Sequence, residues 1–208
     1  MNDTAGFWKG EFGDQYSSRH PATDHEIRAR VALWAEILSH IAPEKPRTIL
    51  EIGANVGNNL RALRCLSGAK FFALEPNEAA RKVLEADGIV SEWDTRAGMA
   101  TATGFMDDTA ELVFTSGVLI HIPPTDLIAS CREIYRCSSR WIVAIEYFSV
   151  EPREIPYRGH AGKLWSRDYG GFWLDHFTDL KPIACGFAWN RLTGLDNLTY
   201  WIFSKGDP

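Results

Sequence analysis

The sequence has no run approaching the roughly eighteen apolar residues of a membrane span, and its opening, Met-Asn-Asp-Thr-Ala-Gly, lacks the basic and then apolar order of a secretion signal. A cytoplasmic protein with no membrane partner is therefore expected. Four cysteines, at positions 65, 131, 137 and 185, form no C-x-x-C pair, so reduced and mostly buried thiols are expected in place of a disulfide frame or a zinc site. Basic residues are too few for a nucleic-acid surface: 22 Lys and Arg face 27 Asp and Glu, a net charge of −5. The three-glycine pattern G-x-G-x-x-G is also missing, which disfavours a nucleotide-dependent oxidoreductase.

What is present suffices for one domain. A chain of 208 residues, 45% hydrophobic and 12% aromatic, can bury one sizeable core. Its organising stretch runs from Thr48 to Asn59. Ile49, Leu50 and Ile52 make a short apolar run broken by Glu51, followed by Gly53 and Gly57 and an amphipathic stretch from Leu60 to Leu66. That order predicts a buried parallel strand, a glycine turn and a helix start, by which open α/β sheets present a ligand site at a strand's carboxyl end. Gly53 is expected to take positive φ, and Gly57 to let helix backbone approach the ligand. Glu51 repels a phosphate but suits a cation. Glu75, ending the apolar run from Phe71 to Leu74, is placed to accept hydrogen bonds from ribose hydroxyls.

Glu51, Gly53, Gly57 and Glu75 together resemble the cofactor site of class I S-adenosylmethionine-dependent methyltransferases. The resemblance implies a Rossmann-like α/β fold, a doubly wound, seven-stranded, mostly parallel sheet with an antiparallel last strand. It implies S-adenosyl-L-methionine as cofactor and S-adenosyl-L-homocysteine as product. The cofactor contacts it implies are Gly53, Ala54, Asn55, Gly57, Asn58, Glu75, Ser116 and Gly117, with Glu51, Pro76 and Val118 beside them. An Asn-Pro-Pro-Tyr box, as in amino-methylating nucleic-acid enzymes, is absent after the fourth strand, and so is the acidic cluster of metal-dependent catechol enzymes. No Mg²⁺ or other metal is expected.

The aromatic N-terminal stretch from Phe7 to His20 is expected to fold over the core as a flap. Tyr16 and Arg19 in it either pack there or reach the cofactor's carboxylate or the substrate. Thr23 to Glu26 has capping-box spacing before a scaffold helix through Ile41, and Asn77 opens a crossover helix from Ala79 to Ala86. Ile89-Val90 reads as the start of the third strand, with Trp93 and Asp94 following where an adenine would stack and donate, unless both merely cap a loop. A fourth strand, Leu112 to Thr115, leads into Ser116-Gly117-Val118-Leu119-Ile120-His121. His121 is the first candidate for a proton acceptor, against the alternative of a hydrogen-bonded structural histidine. After a helix from Thr125 to Cys137, the fifth strand, Trp141 to Ile145, delivers Glu146 and Tyr147 as further catalytic candidates or as caps for backbone donors.

From Phe148 to Phe177 the chain is rich in basic and aromatic residues among glycines and prolines, and reads as a substrate-cap insertion ending in a short helix, Phe172 to Leu180. Tyr157, Arg158, His160, Lys163, Trp165 and Arg167 are its substrate-binding candidates, pointing to an anionic or hydroxylated small molecule; a solvated charged loop is the alternative. Ile183 to Trp189 and Asn197 to Ser204 read as a closing hairpin-like pair. The expected layout is one domain, with a flap and helix over 1–46, a cofactor core over 47–147, the insertion over 148–180 and the final pair over 181–208. The opening Phe-Trp-Lys-Gly-Glu-Phe-Gly-Asp-Gln-Tyr, the block Glu-Tyr-Phe-Ser-Val-Glu-Pro-Arg and the block Leu-Trp-Ser-Arg-Asp-Tyr-Gly-Gly-Phe resemble the methylases associated with pseudaminic acid biosynthesis. That likeness implies a sugar-type or related small-molecule acceptor. The competing expectation is a non-catalytic S-adenosylmethionine-binding regulator or scaffold; oligomeric state is not legible.

Overall fold

The computed structural model describes residues 4–206. Two short helices, α1 (Thr4–Lys9) and α2 (Glu11–Arg19), precede α3 (Asp24–Ser39), whose first turn is closed by Thr23 Oγ1 accepting the Glu26 N–H at 3.3 Å. The alternating part follows as β1 (Thr48–Ile52), α4 (Asn58–Arg64), β2 (Lys70–Leu74), α5 (Glu78–Ala86), β3 (Thr95–Arg96), β4 (Ala110–Ser116), α6 (Pro124–Cys137) and β5 (Ser138–Glu146). Beyond it come a two-stranded ribbon, β6 (Arg153–Glu154) and β7 (Trp165–Ser166), then α7 (Tyr169–His176), β8 (Lys181–Ala188), α8 (Asn190–Thr193) and β9 (Leu198–Ser204).

Seven strands form one sheet in the order β3-β2-β1-β4-β5-β9-β8, and β9 alone runs against its neighbours. This is the doubly wound sheet with an antiparallel last strand that the sequence predicts. Strand periodicity divides the core in two. Ile49, Phe71, Leu112, Phe114 and Val143 point to the face covered by α3, α4 and α5, where Trp34 packs edge-on to Phe114 at 4.5 Å. Leu50, Ile52, Val113, Ile142 and Ala144 point to the other face, under α6 and α7. Each such valine, leucine, isoleucine or phenylalanine taken fully out of water contributes about 1.5–3 kcal/mol.

The winding reverses between β1 and β4, which opens a crevice at their carboxyl ends. Three boundaries differ from expectation. Ile89 and Val90 are buried but unpaired, and the third strand is only Thr95–Arg96, because Ser91 to Asp94 make a turn in which Ser91 Oγ donates to Asp94 at 2.8 Å. The helix expected from Phe172 begins at Tyr169, capped by Asp168. It is the crossover helix between β5 and β8, so the added segment is only the ribbon that precedes it. All four cysteines are free, with Cys131 and Cys137 buried and Cys65 and Cys185 exposed.

Candidate active site

A cavity of about 740 Å³ lies over the carboxyl ends of β1, β2 and β4. On its floor, Gly53 stands at φ 76°, and a Cβ there would meet Val118 Cγ2 at 2.5 Å. Asn55 follows at φ 48°, a conformation its short polar side chain tolerates. Its N–H donates to Glu75 Oε2 at 2.7 Å, while the Asn77 N–H donates to Glu75 Oε1 at 2.8 Å. Burial raises the Glu75 carboxyl above the usual carboxylate range, and those two N–H donors pull it back.

Glu51 is the most enclosed acid at the site. Trp34 Nε1 donates to Asn59 Oδ1 at 3.3 Å, and Asn59 Nδ2 donates to Glu51 Oε1 at 2.8 Å, a buried relay that fixes the carboxyl. Among the described residues, neither its other oxygen, Oε2, nor the buried Asn58 Oδ1 has a donor. Both residues line the cavity. Burial pushes Glu51 up to about 8, with the Asn59 hydrogen bond acting against the shift. Two buried oxygens in one cavity wall that the protein leaves without a partner are open to a ligand's donor.

The roof is α1 and α2. Ser17 Oγ donates to Asn55 Oδ1, Asn77 Nδ2 to Asp14 Oδ1, both at 2.7 Å, and Asn58 Nδ2 to the His20 carbonyl at 3.2 Å. Aromatic contacts join the roof to the β6–β7 ribbon: Phe7 stacks on Phe12 at 4.0 Å, His160 meets Phe7 at 5.2 Å, and Phe12 meets Tyr157 at 5.7 Å. His121 lies beneath, between Trp8 and Tyr157 at 4.8 and 4.9 Å, with Nδ1 at 2.7 Å from the Lys163 carbonyl oxygen. A carbonyl only accepts, so Nδ1 carries the ring proton and Nε2 is left with a lone pair. Burial lowers His121 to about 4, which keeps the ring neutral at pH 7.

Residues 50–140 match the family model described as a methyltransferase domain. No curated protein sequence matches the chain. Among solved structures, it is similar to a SAM-dependent methyltransferase of the DUF858 family from Leishmania major, with 15% identity, a TM-score of 0.73, and 98% of this chain and 87% of that chain covered. A 1,6-didemethyltoxoflavin-N1-methyltransferase from Burkholderia thailandensis, solved with 1,6-didemethyltoxoflavin and S-adenosylhomocysteine, aligns at 15% identity and TM-score 0.69, over 94% and 85% of the two chains. The magnesium protoporphyrin IX methyltransferase of Synechocystis, with bound SAM, aligns at 10% identity and TM-score 0.69, over 99% of both. At these identities the likeness is one of fold.

Of the cofactor candidates, Tyr16, Glu51, Gly53, Ala54, Asn55, Asn58, Glu75, Pro76, Ser116, Gly117 and Val118 line the cavity. Four do not. Gly57 turns away and makes room for Leu84, whose Cδ1 would stand 2.5 Å from a Cβ there; its φ of 80° sets the start of α4. Arg19 lies over the rings of Phe12 and Tyr16, at 5.2 and 5.8 Å. Trp93 is 79% exposed, and Asp94 pairs with Lys70 at 2.8 Å outside the cavity, because the turn before β3 carries both away from it. Gly98 to Thr101 line the place expected for them.

Tyr147 and His121 line the cavity, but Glu146 does not. Successive strand-end residues point to opposite sides. The Glu146 carboxyl accepts the N–H groups of Val118, Leu119 and Ile120 at 3.1 to 3.3 Å and so braces the turn that carries His121. In the ribbon, Tyr157 and Arg158 reach the cavity, whereas His160, Lys163, Trp165 and Arg167 do not. Lys163 Nζ sits 4.6 Å from the Phe7 ring centre and Arg167 lies over Phe172 at 4.5 Å, so their cations serve packing. Trp8 and His20, from the aromatic stretch expected to fold over the core, also line the cavity, as do Glu26, Arg30 and Asp196, which carry no sequence signal of a site.

Proposed function

We propose that the protein is an S-adenosylmethionine-dependent methyltransferase acting on an oxygen or nitrogen of a small polar acceptor. The observation that carries this reading is the pair of donorless buried acceptors, Glu51 Oε2 and Asn58 Oδ1, in the wall of a cavity that also holds Glu75. They fit a ligand with an ammonium group, and the free lone pairs of Glu75 fit two hydroxyls. Bound there, S-adenosylmethionine supplies an electrophilic methyl group on a sulfonium centre.

The chain's own residues do the rest. Glu51, Asn58 and Glu75 hold the two ends of the cofactor, and the α1–α2 roof excludes water from the space between it and the acceptor. His121 Nε2 takes the proton of an acceptor hydroxyl, a contribution of roughly 10²- to 10⁴-fold. A sugar-type acceptor, in line with the likeness to the pseudaminic acid-associated methylases, is supported by the polar and aromatic lining around Tyr16, Tyr147 and Tyr157. Support for an anionic one is limited to Arg30 and Arg158.

Calorimetric titration with S-adenosylhomocysteine, followed by transfer from radiolabelled cofactor to a panel of acidic sugars, amino sugars and small natural-product acids, tests the reading. Failure to bind overturns it; binding without transfer favours a regulator or an acceptor outside the panel. His121→Gln is expected to lower kcat at least about a hundredfold while cofactor affinity stays within about threefold. Unchanged turnover removes His121 from the reaction.

A further inference from the structure

Aromatic side chains make up part of the cavity wall, two of them against His121. Trp8 and Tyr16 come from the roof, Tyr147 from the end of β5 and Tyr157 from the ribbon, so two regions distant in sequence bring aromatic rings to the cavity. Trp8 meets Tyr16 edge-on at 5.5 Å. Asp196, in the loop before β9, lines the same space and accepts the Tyr147 hydroxyl at 2.8 Å. Asp196 itself is exposed to solvent.

Charge separates the substrate classes. Among the described residues of the cavity wall, once Glu51 and Glu75 at the cofactor end and the Glu26–Arg30 pair are set aside, two carboxylates, Asp126 and Asp196, face one guanidinium, Arg158. Arg30 is tied to Glu26 by an ion pair and donates to that residue's carbonyl as well. Arg158 lies on the exposed turn of the ribbon at φ 49°. The remaining cations of the ribbon are turned elsewhere: Arg153 donates to Ser149, and Lys163 and Arg167 rest on phenyl rings. An anionic acceptor would meet net negative charge, whereas a cation would meet aromatic rings and a carboxylate, the pairing that recognises ammonium groups.

We propose that the acceptor carries an ammonium group, and that Asp196 with Trp8, Tyr16, Tyr147 and Tyr157 forms the subsite that binds it. This rests on the methyltransferase reading. The group recognised need not be the atom that is methylated, and an amino sugar or an amino alcohol satisfies both.

The probe is choline, compared with its uncharged carbon isostere 3,3-dimethylbutanol and the anion 3,3-dimethylbutanoate. Each is titrated by tryptophan fluorescence and by ligand-observed NMR into protein with and without saturating S-adenosylhomocysteine. Choline is expected to bind at least about tenfold more tightly than the alcohol and more tightly still than the anion, a preference in the range of cation–π and carboxylate pairing. Asp196→Asn should reduce that preference severalfold and leave S-adenosylhomocysteine affinity within about twofold; Trp8→Leu gives an independent second variant. Equal binding of choline and the alcohol, or preference for the anion, overturns the inference while the cofactor reading stands. Absence of S-adenosylhomocysteine binding overturns the cofactor reading and this inference with it.

Discussion

Glu51 shows how burial turns a carboxyl group into a sensor of ligand charge. With its pKa pushed up to about 8 it is largely protonated at pH 7 in the free protein, with Asn59 donating to it and the charges of Arg30 and Glu75 acting in opposite directions. A cationic ligand beside Oε2 favours the ionised form, so binding S-adenosylhomocysteine at pH 7 should release close to one proton, and the release should fade above about pH 9. Calorimetry in buffers of different ionisation enthalpy reads this directly, and Glu51→Gln should abolish it. Glu146 has the opposite kind of role. Glu146→Ala leaves three N–H groups, two of them buried, without an acceptor and should cost about 3 kcal/mol, read as a lower urea midpoint with an unchanged slope. Glu51 and Glu75 were legible because the one interrupts and the other ends a short apolar run, at the carboxyl end of a strand that opens on the crevice. Glu146 and Tyr147 also end a strand, but which of them faces the cavity depends on the pleat, and an apolar run buried on both faces does not fix it.

Among the elements, the roof is the least legible from sequence and the most involved in the site. Phe7, Trp8, Phe12 and Tyr16 gave an aromatic flap without period, since α1 and α2 break at Gly10 and together form a corner. The corner depends on Gly13: a Cβ there would stand 2.0 Å from the Trp8 carbonyl oxygen and 2.8 Å from Asn77 Nδ2. Gly13→Ala is therefore expected to lift α2 off the Asn77 loop and weaken S-adenosylhomocysteine binding by about tenfold or more, while thermal unfolding changes little, because the roof adds no strand to the sheet and the loss falls on local hydrogen bonds. Equal affinity in the variant would show that the roof does not hold the site closed. The ribbon was recognised by its length and composition, but the destination of each cation was not, because a long side chain near a phenyl ring packs on it as readily as it reaches for a ligand.

At the scale of the molecule, proton linkage sets an upper pH limit. His121, lowered to about 4 from its ordinary value of 6.5, makes stability rise with pH across that interval, since the unfolded chain binds the extra proton. Glu51 and Glu146, raised to about 8 and about 7 from 4.5, act in the other direction, since there the folded chain holds the proton. Above pH 6.5 the raised acids remain, with Glu75 acting in the same direction as these two, so the urea midpoint should fall between about pH 6.5 and 8.5, and Glu51→Gln should flatten the fall. The sheet class was the most legible feature of all, because the resemblance carried by Glu51, Gly53, Gly57 and Glu75 implies it, while the strand order is read from the structure. One consequence of that order concerns the chain as it is made. β9 is wedged between β5 and β8. While a ribosome is still translating the residues before 198, Trp141 to Ile145 have one open edge and β8 has no neighbour on which to form. The nascent protein therefore waits, with an apolar strand uncovered, until β9 clears the exit tunnel, and this interval is when a chaperone has most to protect.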